Sequence, residues 1–129
     1  MEEAVAIDST ELEIVVPADA RLLRVLRLVA SGVASLGSLS LDAVEEVRVA
    51  VDELGATLIG ASNGAPLTVR FQLDADQLCV EGSTEVRSSG MEVDPLTDRI
   101  LDAVATSHEW TTADGVASCR IEKDLASVI

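Results

Sequence analysis

Aromatic residues are almost missing from this chain: they make up 2% of its 129 residues, with one Phe, one Trp and no Tyr. Phe71 and Trp110 cannot build an aromatic core, so burial must come from the Leu, Val, Ile and Ala that supply most of the 48% hydrophobic content. That content places the chain among globular rather than disordered sequences. Its length suits one domain with its own core, residues 1–129. Basic residues are scarce as well. Nine Lys and Arg stand against 23 Asp and Glu, for a net charge of −14. Nucleic-acid binders gain affinity when Lys and Arg displace counterions from phosphates, so this balance argues against such a partner. The ordinary meaning of the charge is a well-solvated surface; it would also steer a basic protein partner.

Long apolar runs are absent. No stretch approaches the roughly 20 residues that span a bilayer, so no membrane association is expected. The acidic start Met1-Glu2-Glu3-Ala4 is the opposite of a signal peptide's basic region, and a cytoplasmic protein is expected. Cysteine and histidine are too few and too scattered for zinc: Cys79 and Cys119 lie far apart and the single His is His108. No metal site is expected, and both cysteines read as small buried hydrophobes in strands.

What is present is clear periodicity. Leu12, Ile14 and Val16 alternate with Glu11, Glu13 and Val15, a half-buried strand closed by Pro17. Residues 18–36 carry Leu22, Val25, Leu26, Val29, Ala30 and Val33 at helical spacing, and Gly37-Ser38 ends them. A second helix is predicted from a cap at Asp42, three residues before Glu45, with Val44, Val47, Val51, Leu54 and Leu58 as its stripe, ending between Gly60 and Gly64. On this helix Arg48 has Glu45 and Asp52 at pairing distance. Leu67, Val69, Phe71 and Leu73 alternate cleanly as a strand, and a turn at residues 74–77 leads into Leu78-Cys79-Val80. Residues 83–94 read as a loop. Asp94-Pro95 opens a third helix to about residue 106, and Asp114-Gly115 turns a final hairpin made of residues 109–112 and 116–124. The order predicts an α/β (α+β) two-layer sandwich, with helices on one face of a mixed, mostly antiparallel sheet. His108 reads as a surface residue at a strand start, with no nucleophile or acid arranged around it.

The stretch with the most chemical content is Ala50 to Thr57, AVDELGAT. On a helix, Glu46, Ala50, Glu53 and Thr57 form a stripe beside the apolar one. Glu53 either enters a cleft between helix and sheet or stays an ordinary surface Glu, and Thr57 is either a spacer or a short-reach oxygen ligand. This stretch resembles the Glu-x-x-x-Asn helix of the GHKL ATP-binding fold, with Thr57 at the Asn position. Pro17-Ala18, Arg27-Leu28, residues 31–35 (SGVAS) and residues 42–51 with Arg48-Val49-Ala50-Val51 are similar to the anti-sigma factor serine kinases of the RsbW/SpoIIAB type. The specific resemblance covers residues 12–60, and the order of elements carries it to the end.

That resemblance implies a GHKL (Bergerat-like) fold and a homodimer. It makes Glu53 the catalytic base of an active enzyme, places Glu53 and Thr57 at an ATP–Mg²⁺ site, and gives Arg21, Arg24 and Arg27 on the first helix to a sigma factor or its antagonist. Other parts of the ATP site are missing. Where the family has Asp-x-Gly-x-Gly, the chain reads Ser83-Thr84-Glu85-Val86-Arg87-Ser88-Ser89-Gly90. Pro95-Leu96-Thr97 replaces the glycines that open the third helix, and proline removes an amide donor. Residues 83–94 are short for a lid. The leading expectation is an anti-sigma regulatory factor that sequesters its partner by contact, without ATP turnover and without a cofactor. Two alternatives stay open: an ATP-dependent serine kinase acting on an antagonist, and a repurposed domain that binds another protein or small ligand in the vacated cleft, kept roomy by Ala50, Gly55, Ala56 and Gly60.

Overall fold

The first strand, β1 (Ser9–Val16), stops where Pro17 removes the next backbone donor. A computed structural model of the chain describes residues 9–125, and within them the elements follow the expected order. A single 3₁₀ turn at Ala20–Leu22 leads into α1 (Leu23–Ala34), so the helix expected from residue 18 becomes α-helical only at Leu23. The Asp19 carboxylate sets this entry by accepting the Arg21 backbone N–H at 2.9 Å. Helix α2 (Leu41–Ala61) starts earlier than expected because Ser40, not Asp42, is its cap, with Oγ accepting from the Ala43 N–H at 3.1 Å. Asp42 falls in the first turn, where a carboxylate suits the helix dipole, and Glu45 bonds Arg48 at 2.8 Å.

Strands β2 (Leu67–Asp74) and β3 (Gln77–Glu85) form a hairpin; α3 (Pro95–Val104) then leads to the hairpin of β4 (Ser107–Ala113) and β5 (Val116–Asp124). The sheet order is β1-β2-β3-β5-β4. Every neighbouring pair is antiparallel, so the expectation of a mixed sheet is corrected. The first helical excursion returns the chain as β2, antiparallel to β1; the second returns it as β4, parallel to β3 but one strand away, and the last hairpin inserts β5 between them. At its tip Asp114 and Gly115 have φ of 54° and 77°, the paired left-handed conformation of a two-residue hairpin turn. Strand β3 also runs further than expected. Ser83, Thr84 and Glu85 pair with Ser118, Ala117 and Val116, and the Thr84 hydroxyl, buried, donates to the Pro66 carbonyl at 3.1 Å.

One face of the sheet is apolar. Val69, Phe71, Leu78, Val80, Cys119 and Ile121 are buried beneath Leu26, Ala30 and Val33 of α1 and Val47, Val51, Leu54 and Leu58 of α2. At the centre lies Gly82, where a Cβ would come 2.7 Å from Leu54 Cδ2 and 2.9 Å from Leu58 Cδ1. Helix α2 therefore sits directly on backbone. Both cysteines are buried and unbridged. Cys119 lies in the apolar layer, where burial pushes its thiol up to about 12. Cys79 points to the opposite face between Gln72 and Glu122. Among the described residues that opposite face carries no helix, and the strand register aligns Glu13, Arg70, Glu81, Arg120 and Glu109 in one row of alternating charge across the five described strands. Among the described residues no helix is long and apolar enough to cross a membrane.

Gly82→Val should cost about 1–3 kcal/mol, because the added carbons must displace buried leucines. Gly32→Ala in α1, where a Cβ meets nothing within 4 Å, should stabilise by about 0.4–1 kcal/mol. Urea unfolding of the two variants beside the parent checks both.

Candidate functional site

The last two turns of α2 and the loop after β3 enclose an open cleft of about 490 Å³, lined by Ala56, Thr57, Gly60, Arg87, Gly90 and Glu92 among others. The loop is tied back to the helix end: Ser62 bridges Val86, Asn63 N–H donates to the Glu85 carbonyl at 2.9 Å, and Arg87 donates to the Ser62 carbonyl at 3.3 Å. The small residues divide. Ala56 and Gly60 give the cleft its width, but Ala50 is in the core and Gly55 lies against Leu23 and Leu26 of α1. Those two serve packing rather than the cleft.

Glu53 and Thr57, one turn apart on α2, are put to different uses. Thr57 lines the cleft, whereas Glu53 is absent from the lining. The Glu53 carboxylate, half-buried, accepts from Thr97 Oγ1 at 3.0 Å. Thr97 is buried in the first turn of α3, a turn fixed by Asp94, which accepts the Leu96 N–H at 2.8 Å, and by Pro95 at the first helical position. A carboxylate beside this helix start also meets the positive end of its dipole. Chemically the cleft offers hydroxyls from Thr57 and Ser89, one guanidinium and one carboxylate. Among the described residues, no three His, Cys, Asp or Glu side chains converge as a metal site.

The three arginines on the segment leading through α1 also differ. Arg21 grips Asp19 in a fork, with Nη2 to Oδ2 at 2.7 Å, and the guanidinium holds the Asp19 carboxyl down at about 2. Arg27 Nε donates to Asp52 Oδ1 at 2.8 Å, a half-buried bond joining α1 to α2. The expected Arg48–Asp52 pair is thus replaced: Asp52 serves the neighbouring helix and Arg48 keeps Glu45. Arg24 is exposed and makes no ion pair among the described residues. Beside it Val25 and Leu28 are 38% and 68% exposed, and Leu36 beyond the helix end is 66% exposed. The structure therefore leaves α1 with an outward face that is apolar and basic.

His108 corrects the sequence reading most. It stands at the start of β4, as expected, but not on the surface: its pairing with buried Ile121 puts it on the face under α3. Its Nε2 lies 2.9 Å from Asp98 Oδ1 and its Nδ1 lies 3.4 Å from Asp102 Oδ1, while Trp110 Nε1 donates to Asp98 at 3.0 Å. The available signal was Asp98 and Asp102, spaced four apart on one helix face. Hydrogen bonds from His108 and Trp110 hold the Asp98 carboxyl below its ordinary range. No hydroxyl or thiol among the described residues bonds His108, so the cluster clamps α3 to the sheet and lacks a nucleophile. Lys123 ties the same helix from the other end, donating to Glu46 at 2.7 Å and to the Val104 carbonyl at 2.8 Å.

Compared with known proteins, the chain matches no family model and no curated protein. Its class rests on architecture: an α+β domain with three helices and an open, five-stranded antiparallel sheet.

Two outcomes follow from these bonds. Glu53→Ala strands a buried Thr97 hydroxyl and should cost about 1–3 kcal/mol, while Glu53→Gln, which keeps an acceptor, should cost less; thermal melts compare them. Asp98 has a depressed native pKa, so it contributes stability above the unfolded carboxylate range, near 3.8, that is lost as pH falls through the lowered native value. Asp98→Asn should flatten that part of the acid limb in urea titrations between pH 2 and 6.

Proposed function

We propose that this chain is an anti-sigma type regulatory factor that binds and sequesters a sigma factor, or the antagonist of one, by protein–protein contact and without ATP turnover. It would do so in the cytoplasm as a GHKL-like domain and as a homodimer. The observation that carries the reading is the outward face of α1, where Val25 and Leu28 stand exposed beside Arg24, which makes no ion pair among the described residues. Exposed apolar residues rimmed by Arg are the usual composition of a contact surface. Arg21 and Arg27 border that face, held in place by Asp19 and Asp52. The excess negative charge elsewhere suits a basic partner.

The open cleft beside Thr57 favours a second reading, in which nucleotide binding persists and the chain phosphorylates an antagonist. Against it stands Glu53, which serves α3 rather than the cleft, and Thr57 brings a short hydroxyl rather than an amide oxygen to the cleft wall.

Calorimetric titration of purified sigma factors and candidate antagonists into the chain separates these readings. Binding should be saturable, should weaken at least ~10-fold, or about 1.4 kcal/mol, in the Arg24→Glu/Leu28→Asp variant, and should be indifferent to Mg-ATP. Heat from Mg-ATP with phosphate transfer to an antagonist would replace this reading with the kinase. Partner binding untouched by the variant would move the surface off α1.

A further inference from the structure

Strand β4 ends the sheet, and no described segment runs along its outer side. Alternate residues of an edge strand turn their N–H and C=O groups away from the sheet, a template for another strand. Proteins usually blunt such edges with lysine, proline, a bulge or opposed charges. Strand β4 has none of the first three: its register with β5 is unbroken from Ser107↔Glu122 to Ala113↔Val116, and its sequence is SHEWTTA. The other edge, β1, carries Glu11 and Glu13 on its exposed stretch. In the two registers centred nearest its middle, on Leu12 and on Glu13, a two-fold pairing of β1 sets Glu11 against Glu13 or Glu13 against itself.

We infer that β4 pairs antiparallel with β4 of a second copy across a two-fold axis at Thr111, joining two sheets into one continuous sheet. This gives the expected homodimer a surface and does not rest on the sigma-factor reading. The two-residue turn after Ala113 fixes which groups are free. Ala113 closes the hairpin with Val116, so Ser107, Glu109, Thr111 and Ala113 spend their backbone groups on β5, leaving those of His108, Trp110 and Thr112 outward. The two-fold at Thr111 then sets Trp110 opposite Thr112 of the second copy as a hydrogen-bonded pair, made twice across the axis. Thr111 meets Thr111 at a non-hydrogen-bonded position, where side chains lie closest and paired threonines stabilise a sheet. Glu109 meets Ala113, so no like charges face each other within the paired strands. Only the bulk charge opposes the union, −14 on each copy, and salt screens that repulsion over about 10 Å at 0.1 M.

Sedimentation equilibrium of the full chain across a range of concentrations tests this, with Thr111→Lys and Thr111→Cys as variants. Thr111 is exposed on the bare face, so both should fold, as far-UV circular dichroism will verify. The expected result is a reversible monomer–dimer equilibrium that shifts toward dimer as salt is raised. In Thr111→Lys, two ammonium groups meet at the axis and the dimer is lost. In Thr111→Cys, mild oxidation yields a covalent dimer, because directly opposed residues at such a position have Cα atoms ~4.5 Å apart, within disulfide reach. A monomer at every concentration and salt overturns the inference. So does a dimer that survives Thr111→Lys while Thr111→Cys fails to cross-link, which would place the interface elsewhere.

Discussion

The close approach of α2 to the backbone at Gly82 is the contact on which the rest of the molecule is arranged. With almost no aromatic volume to spend, the core gains its density by bringing helix and sheet together, and Leu54 and Leu58 fill the space that a side chain on β3 would take. Each fully buried Leu contributes about 1.5–3 kcal/mol, so placing several above one glycine concentrates much of the apolar stabilisation in a small area. Once α2 is seated, its other flanks are committed. Gly55 admits α1 to close range and Asp52 fixes it through Arg27; Glu46 and Glu53 fix α3 through Lys123 and Thr97.

This division of labour explains why the residue with the most chemical promise performs none in the cleft. Helix α2 shows a core face, a face to each neighbouring helix, and only at its last turns a face to the cleft. Glu53 belongs to the α3 flank, one turn short of the opening. A neutral hydrogen bond nets roughly 1 kcal/mol, and a charged acceptor somewhat more, which is enough for a carboxylate to be kept for architecture alone. The same holds on α3, where Asp98 and Asp102 gather His108 and Trp110 into a clamp from the side chains nearest to an enzyme-like cluster.

How legible this was depended on range. Features set by neighbouring residues were readable: the alternation of Leu67 to Leu73, the Asp94-Pro95 start of α3, the Asp114-Gly115 turn and the stripe of α2 all appear where their local patterns put them. Features set by distant partners were not. Ser83 to Glu85 look like loop because their polar side chains match no strand pattern, yet β5 supplies ladder partners and Ser62 and Pro66 supply polar ones. Asp52 has an arginine four residues away but bonds another 25 residues distant on α1. At the candidate site Thr57 and Gly60 line one cleft, and both lie on the helix pattern. It could not foresee the Thr97 hydroxyl that claims Glu53, because that contact exists only once α3 has docked.

The row of alternating charge on the helix-free face has a consequence for how this domain keeps its company. Read across the sheet it runs Glu13, Arg70, Glu81, Arg120, Glu109, which is the same from either end, with the central strand β3 as its mirror. Lay two copies face to face about a two-fold axis along the strands and Glu13 covers Glu109, Arg70 covers Arg120, and Glu81 covers itself. Turn the axis along the row and each charge covers its own copy. With the axis through the centre of the row, a palindrome of charge thus opposes both of these stackings, and a sheet face that no helix among the described residues covers keeps its charges in water.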